Sequence, residues 1–184
     1  MKLLVGLGNK GSKFYGTRHN LGFYFMDSWK EVKGNYYEDF NICTDFFRSK
    51  ISDISILKPA TGMNNSGIPL KQLLVYSSFN IHLKDIIIIH DDFDLPIGKF
   101  KISVGGSSRH NGVRSVLNNL PDEFTRVRVG IGKPPEGRAV EYVLEKFNIA
   151  EKKIIDGTLE NLIKAIDVII ECGSDKAMNL FNRK

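Results

Sequence analysis

The chain has little cysteine: two residues in 184, Cys43 and Cys172, far apart and in no CxxC or metal-ligand spacing. That argues against a disulfide framework and fits two thiols in a reducing compartment. No run approaches the ~18 consecutive apolar residues of a membrane span. The opening Met1-Lys2-Leu3-Leu4-Val5-Gly6 reaches glycine too early for a signal peptide, so the expected location is cytoplasmic. Nor is there a repeat, a low-complexity tract or a linker-like stretch, and a single domain over residues 1–184 is expected.

What the chain does contain is ordinary in bulk. Hydrophobic residues at 42% and charged residues at 26% suit a globular protein that builds its core without metals or disulfides. Twenty-six Lys and Arg against 21 Asp and Glu leave a formal charge of +5. That surplus permits a polyanionic partner such as RNA without demanding one.

Local patterns alternate between strand and helix. Residues 2–5 form an apolar strand that runs into a glycine turn, 6–11. Asn20 stands where it would cap a helix carrying Leu21, Phe25, Met26 and Trp29 at helical spacing. Residues 46–50 and 54–58 read as strands, and Asn65 or Ser66 as the cap of a helix through Leu70, Leu73, Leu74 and Tyr76. Ile86-Ile87-Ile88-Ile89 has no polar alternation, as in a parallel strand covered on both faces. Residues 100–104 are another strand, Asn111 a cap for a helix over 113–120, and 126–131 a half-exposed strand. A long amphipathic helix over 150–172 and a short last one complete the chain. The expected fold is α/β: a single domain with a twisted, mostly parallel mixed sheet flanked by helices. Ligands of such sheets gather beyond the strands' carboxyl ends, where the 6–11 turn, Met63-Asn64 and His90-Asp91 all lie.

Gly6, Gly8 and Gly11 spell GxGxxG, but Gly16 interrupts the stretch where a dinucleotide-binding helix should start, and Asp27 and Glu31 fall inside a helix. Nicotinamide or flavin binding is therefore not expected. Of the four histidines, His19 is best placed for chemistry, in a loop before a helix near the sheet's rim. His90 reads as a hydrogen-bonded core or boundary histidine, His82 as solvated, and His110 as packing or binding near a cap. Asp91, Asp92 and Asp94 could hold a divalent cation, yet neighbouring strand residues point to opposite faces and no second histidine stands at metal spacing. One aspartate paired with a distant histidine is the more economical arrangement. Asn9, Asn64 and Asn111 suit turns and caps individually. Together they would offer amide groups around a His–Asp pair.

These segments resemble the bacterial-type peptidyl-tRNA hydrolases. The similar motifs are Val5-Gly6-Leu7-Gly8-Asn9-Lys10-Gly11, Thr17-Arg18-His19-Asn20-Leu21-Gly22, Gly62-Met63-Asn64-Asn65-Ser66-Gly67 and His90-Asp91-Asp92-Phe93-Asp94-Leu95-Pro96 with Gly98. His110-Asn111-Gly112, 126–132 and Tyr142-Val143-Leu144 follow in the same order. The resemblance spans about residues 1–147 and implies hydrolysis, without cofactor or metal, of the ester joining a peptide to the 3′-terminal ribose of tRNA. It implies His19 as general base oriented by Asp91, substrate contacts from Asn9, Phe14, Met63, Asn64 and Asn111, and tRNA phosphate contacts from Lys99, Lys101 and Arg128. It implies peptidyl-tRNA as partner, and a monomer without membrane or obligate protein partner is expected.

Four departures stand out. Lys10 replaces the usual proline and Phe14 the usual tyrosine. Ser107-Ser108-Arg109 stiffens and charges a loop that is typically glycine-rich with a histidine, and two residues are missing between Gly98 and Lys99. Three alternatives remain open: a non-catalytic RNA-binding protein on the same fold, a metal-dependent hydrolase and a nucleotide-dependent oxidoreductase.

Overall fold

A computed structural model describes residues 1–34, 36–38, 45–49, 53–76 and 81–182. Among these, seven strands form one sheet: β1 (Lys2–Gly6), β2 (Tyr36–Glu38), β3 (Asp45–Ser49), β4 (Ile54–Lys58), β5 (Ile86–Asp92), β6 (Phe100–Val104) and β7 (Thr125–Gly130). Their order is β2-β3-β4-β1-β5-β7-β6. The centre, β4-β1-β5-β7, is parallel, while β3 and β6 run antiparallel to their neighbours. The isoleucine strand lies between β1 and β7 as its unbroken apolar run required.

Alternation along the strands sends side chains into two cores. Leu4, Ile87 and Ile89 meet α1 (Leu21–Lys33), α5 (Ile149–Cys172) and α6 (Ser174–Phe181) through Phe25, Trp29, Ile155, Ile166 and Ala177. Leu3, Val5, Ile86 and Ile88 meet α2 (Gly67–Tyr76) and α3 (Asn111–Leu117) through Leu70, Leu73, Val113 and Val116. A six-residue helix, α4 (Ala139–Leu144), buries none of its residues. No helix among the described residues is long and apolar enough to cross a membrane. Cys172 is exposed and free, while Cys43, Lys50 and the end of the expected strand at 46–50 lie outside the described residues.

Several sequence expectations are corrected. Asn20 precedes α1 but makes no cap bond. Its amide accepts from the Asn9 N–H (2.8 Å) and donates to the Asn9 carbonyl (2.9 Å), clamping the glycine turn instead. At α2 the Ser66 hydroxyl turns back to the Met63 carbonyl, and the Gly67 N–H goes to Ser115 Oγ. The α3 cap is His110 and not Asn111, which is the first helical residue. β7 is largely buried and not half-exposed: Arg126 is 4% accessible, because β6 flanks the strand and the 105–107 loop packs on its guanidinium.

The glycine turn serves packing. No helix starts in it; a 3-10 turn over Ser12–Phe14 follows. A Cβ on Gly6 would sit 2.4 Å from the Gly22 carbonyl, and one on Gly22 2.4 Å from Leu7 N and 2.5 Å from Ile89 O. α1 therefore crosses β1 and β5 at backbone contact. Gly22→Ala should cost about 2 kcal/mol or more, lowering the melting temperature by about 5 °C or more. An unchanged thermal melt would contradict the close approach.

Candidate active site

The carboxyl ends of β1 and β5, the 3-10 turn over Arg18–Asn20 and the start of α3 converge on one cleft of about 870 Å³. Asn9, Phe14, His19, Met63, Asn64, Asp91, Asn111 and Arg128 all line it. Lys99 and Lys101 do not; both are exposed, and Lys101 lies directly opposite Arg128 across β6–β7, on the same sheet face. Asn65, one of the two residues offered as a cap for α2, lines the cleft as well.

At the floor, Asp91 is 2% accessible. His19 Nδ1 lies 3.0 Å from both its carboxyl oxygens, and His110 Nε2 lies 2.8 Å from Oδ1. Burial alone raises the Asp91 pKa, but the two imidazoles outweigh it and hold the carboxyl well below its ordinary range. An ionised carboxylate only accepts hydrogen bonds, so each ring must donate the proton that faces it. The Val113 N–H donates to His110 Nδ1 (3.3 Å), which separately places that ring's proton on Nε2. For His19 in its neutral form, Nδ1 then carries the proton and Nε2, on the opposite ring edge, keeps a lone pair.

The second histidine is a correction to the sequence reading, which found none at metal spacing. The ligand atoms of His19, Asp91 and His110 lie within 4.8 Å of one another, close enough to surround an ion. The donor chemistry fits hydrogen bonding better: with His110 Nδ1 accepting from Val113, the nitrogen facing Asp91 holds a proton and has no lone pair for a metal. The other two aspartates point elsewhere. Asp92 pairs with Arg128 at 2.6 Å, and Asp94 with Arg109 at 2.5 Å.

The amides are arranged around this centre. Asn9 Oδ1 accepts from the Met63 N–H (2.8 Å), which leaves the Asn9 NH₂ to donate. Asn64 and Asn111 are exposed at the rim. His90 is buried as expected, its Nδ1–H donating to the Asp91 carbonyl (2.8 Å). His82 is exposed, also as expected. Three features escaped the sequence reading: the His110–Asp91 bond, the buried Arg126 under the 105–107 loop, and an apolar wall of Val140, Val143 and Leu144 from α4. Each left a partial signal, since His110, Arg126 and Val143-Leu144 all fall in the similar motifs, but none of those motifs carried the contact itself.

Comparison with known proteins agrees with this geometry. The family described as "Peptidyl-tRNA hydrolase" matches residues 3–184.

The chain belongs to the peptidyl-tRNA hydrolase family.

A Pseudothermotoga lettingae peptidyl-tRNA hydrolase is 40% identical over 185 residues, covering 99% of this chain and 97% of that protein. A Thermodesulfovibrio yellowstonii peptidyl-tRNA hydrolase is 39% identical over 189 residues and covers 100% of both. The crystal structure of peptidyl-tRNA hydrolase from Acinetobacter baumannii superposes with a TM-score of 0.87 at 31% identity, over 100% of this chain and 95% of that one. Peptidyl-tRNA hydrolase architecture thus extends through α5 and α6, beyond the last quoted motif.

Burial lowers the His90 pKa from 6.5 to about 3, assisted by neighbouring His110. The unfolded chain protonates this residue near 6.5, while the folded protein resists until about 3. Above 6.5 it adds no pH dependence. Between 6.5 and 3 protons favour unfolding, so stability falls as pH falls, by at most about 1.4 kcal/mol per unit. His90→Gln should flatten the decline in melting temperature between about pH 6 and pH 4. Parallel declines in variant and wild type would contradict this.

Proposed function

We propose that this protein hydrolyses the ester between a peptide's C-terminus and the 3′-terminal ribose of peptidyl-tRNA, releasing tRNA for reuse. The observation that carries the reading is the buried Asp91 between His19 and His110, which leaves His19 Nε2 bare at the cleft. Membership of the peptidyl-tRNA hydrolase family supplies the substrate.

In this mechanism Nε2 takes a proton from a water molecule as its oxygen attacks the ester carbonyl. Asp91, ionised against the far nitrogen, stabilises the imidazolium that forms. The Asn9 NH₂ and the rim amides of Asn64 and Asn111 position the water and the developing oxyanion. Collapse breaks the bond to the ribose oxygen, and the imidazolium returns its proton to that leaving group. Water and ester thus become acid and alcohol, with no metal or cofactor in any step. Phe14 and Met63 flank the substrate. Arg128 in the cleft lining, Lys101 opposite it and Lys99 contact phosphates, Arg128 with the guanidinium nitrogens that its Asp92 pairing leaves over. The whole chain works as one unit, as a monomer in the cytoplasm.

His19→Ala should lower the rate on an N-acetylated aminoacyl-tRNA by about 10²–10⁴-fold, with wild type fully active in excess chelator and the unblocked ester spared. Binding of tRNA with no cleavage would turn the reading to RNA binding alone. Loss of activity in chelator would restore the metal reading. Lys101→Gln should reduce the slope of log affinity for tRNA against log salt by about one; an unchanged slope removes Lys101 from the interface.

A further inference from the structure

We propose that Arg18 is a positioning residue that fastens the α4 wall of the cleft to the segment carrying His19, keeping that wall in place against the bound peptide. The inference rests on the hydrolase reading above. α4 has six residues, none fully buried, and only Tyr142 and Val143 pack partly against the core, so its own packing holds it weakly. Yet Val140, Val143 and Leu144 line the cleft. Val140 is 71% and Leu144 42% accessible, apolar surface that the peptide portion of the substrate would cover.

What holds α4 is a knot around one guanidinium. Arg18 is 5% accessible and forms a two-point pair with Glu151 at 2.9 and 3.1 Å. It stacks 4.4 Å from the Tyr142 ring centre and 5.0 Å from that of Phe147. The Arg18 backbone N–H donates to the Glu145 carbonyl just past α4, at 3.0 Å, and Thr17 pairs with Lys146. Glu151 also caps α5 in a reciprocal box with Asn148. One planar cation therefore joins the turn before His19, the middle of α4 and the head of α5. Lysine could not reproduce this, since it has neither the fork nor the flat face.

The two ends of the knot differ. His19 has its own anchors in Asp91 and in the Asn20–Asn9 clamp, independent of Arg18. On α4, Tyr142 and Val143 pack only partly against the core, Tyr142 bonds the Ile131 carbonyl through its hydroxyl (2.7 Å), and the backbone links of Thr17 and Arg18 tie down only the chain just past the helix. Loss of the fork should thus loosen the wall and leave the base in place, which is a change in KM and not in kcat.

The test compares Arg18→Lys and Glu151→Gln with wild type, at a temperature where circular dichroism shows each folded. It measures kcat and KM on a tripeptidyl-tRNA, and Kd for its uncleavable 3′-amide analogue and for deacylated tRNA. KM and the analogue's Kd should rise about tenfold, while kcat and the Kd for deacylated tRNA stay within about twofold of wild type. Unchanged KM and analogue Kd in the folded variants would reduce Arg18 to a purely structural pair. A loss confined to kcat would show that it acts through His19, which also overturns the proposal. If wild type fails to cleave, the hydrolase reading falls, while the analogue's Kd still judges the clasp.

Discussion

Asp91 is an ionised carboxylate almost wholly removed from water, and such a group is tolerated only when hydrogen-bond donors replace its hydration shell. Two imidazoles do so, and in doing so their protonation is fixed. This constraint sets the chemistry of the cleft, because it decides which nitrogen of His19 is free. It also ties together three distant parts of the chain: the turn before α1, the end of β5 and the cap of α3.

The sheet makes that meeting possible. β5 is a central parallel strand, buried on both faces, and it closes on His90, Asp91 and Asp92 at the edge where α1 and α3 also begin. Asp91 and Asp92 diverge as strand neighbours must, so one carboxylate enters the histidine pair and the next holds Arg128. α1 approaches closely enough to carry His19 there because Gly6 and Gly22 face each other without side chains. The glycine pattern that mimics a nucleotide turn is thus a packing device, one step removed from His19 and Asp91.

Much of this was legible in the sequence, and for identifiable reasons. Four consecutive isoleucines have few options other than a covered strand, and helical periodicity over 150–172 gives α5 to within one residue of its start. The pairing of His19 with Asp91 was implied by the family resemblance, while the residues alone suggested only one aspartate with a distant histidine. Less was legible where the outcome depends on contacts between segments. Asn20 has the residue type of a cap, but the Asn9 backbone competes for its amide and wins. Alternating Arg and Val in β7 signals a strand with one polar face, but not that a loop will cover Arg126. α4 buries nothing, so it leaves no periodicity to read, although it forms a wall of the cleft.

The central claim is the proton arrangement around Asp91, and nitrogen-15 NMR of the histidine rings reads it directly. At a pH where the rings are neutral, His19 should show a protonated Nδ1 and a bare Nε2, and His110 a protonated Nε2 and a bare Nδ1. Replacing Asp91 with alanine should abolish the His19 preference. A His19 ring protonated on Nε2 in the wild-type protein would contradict the account, since the nitrogen proposed to take the proton of water would already hold one.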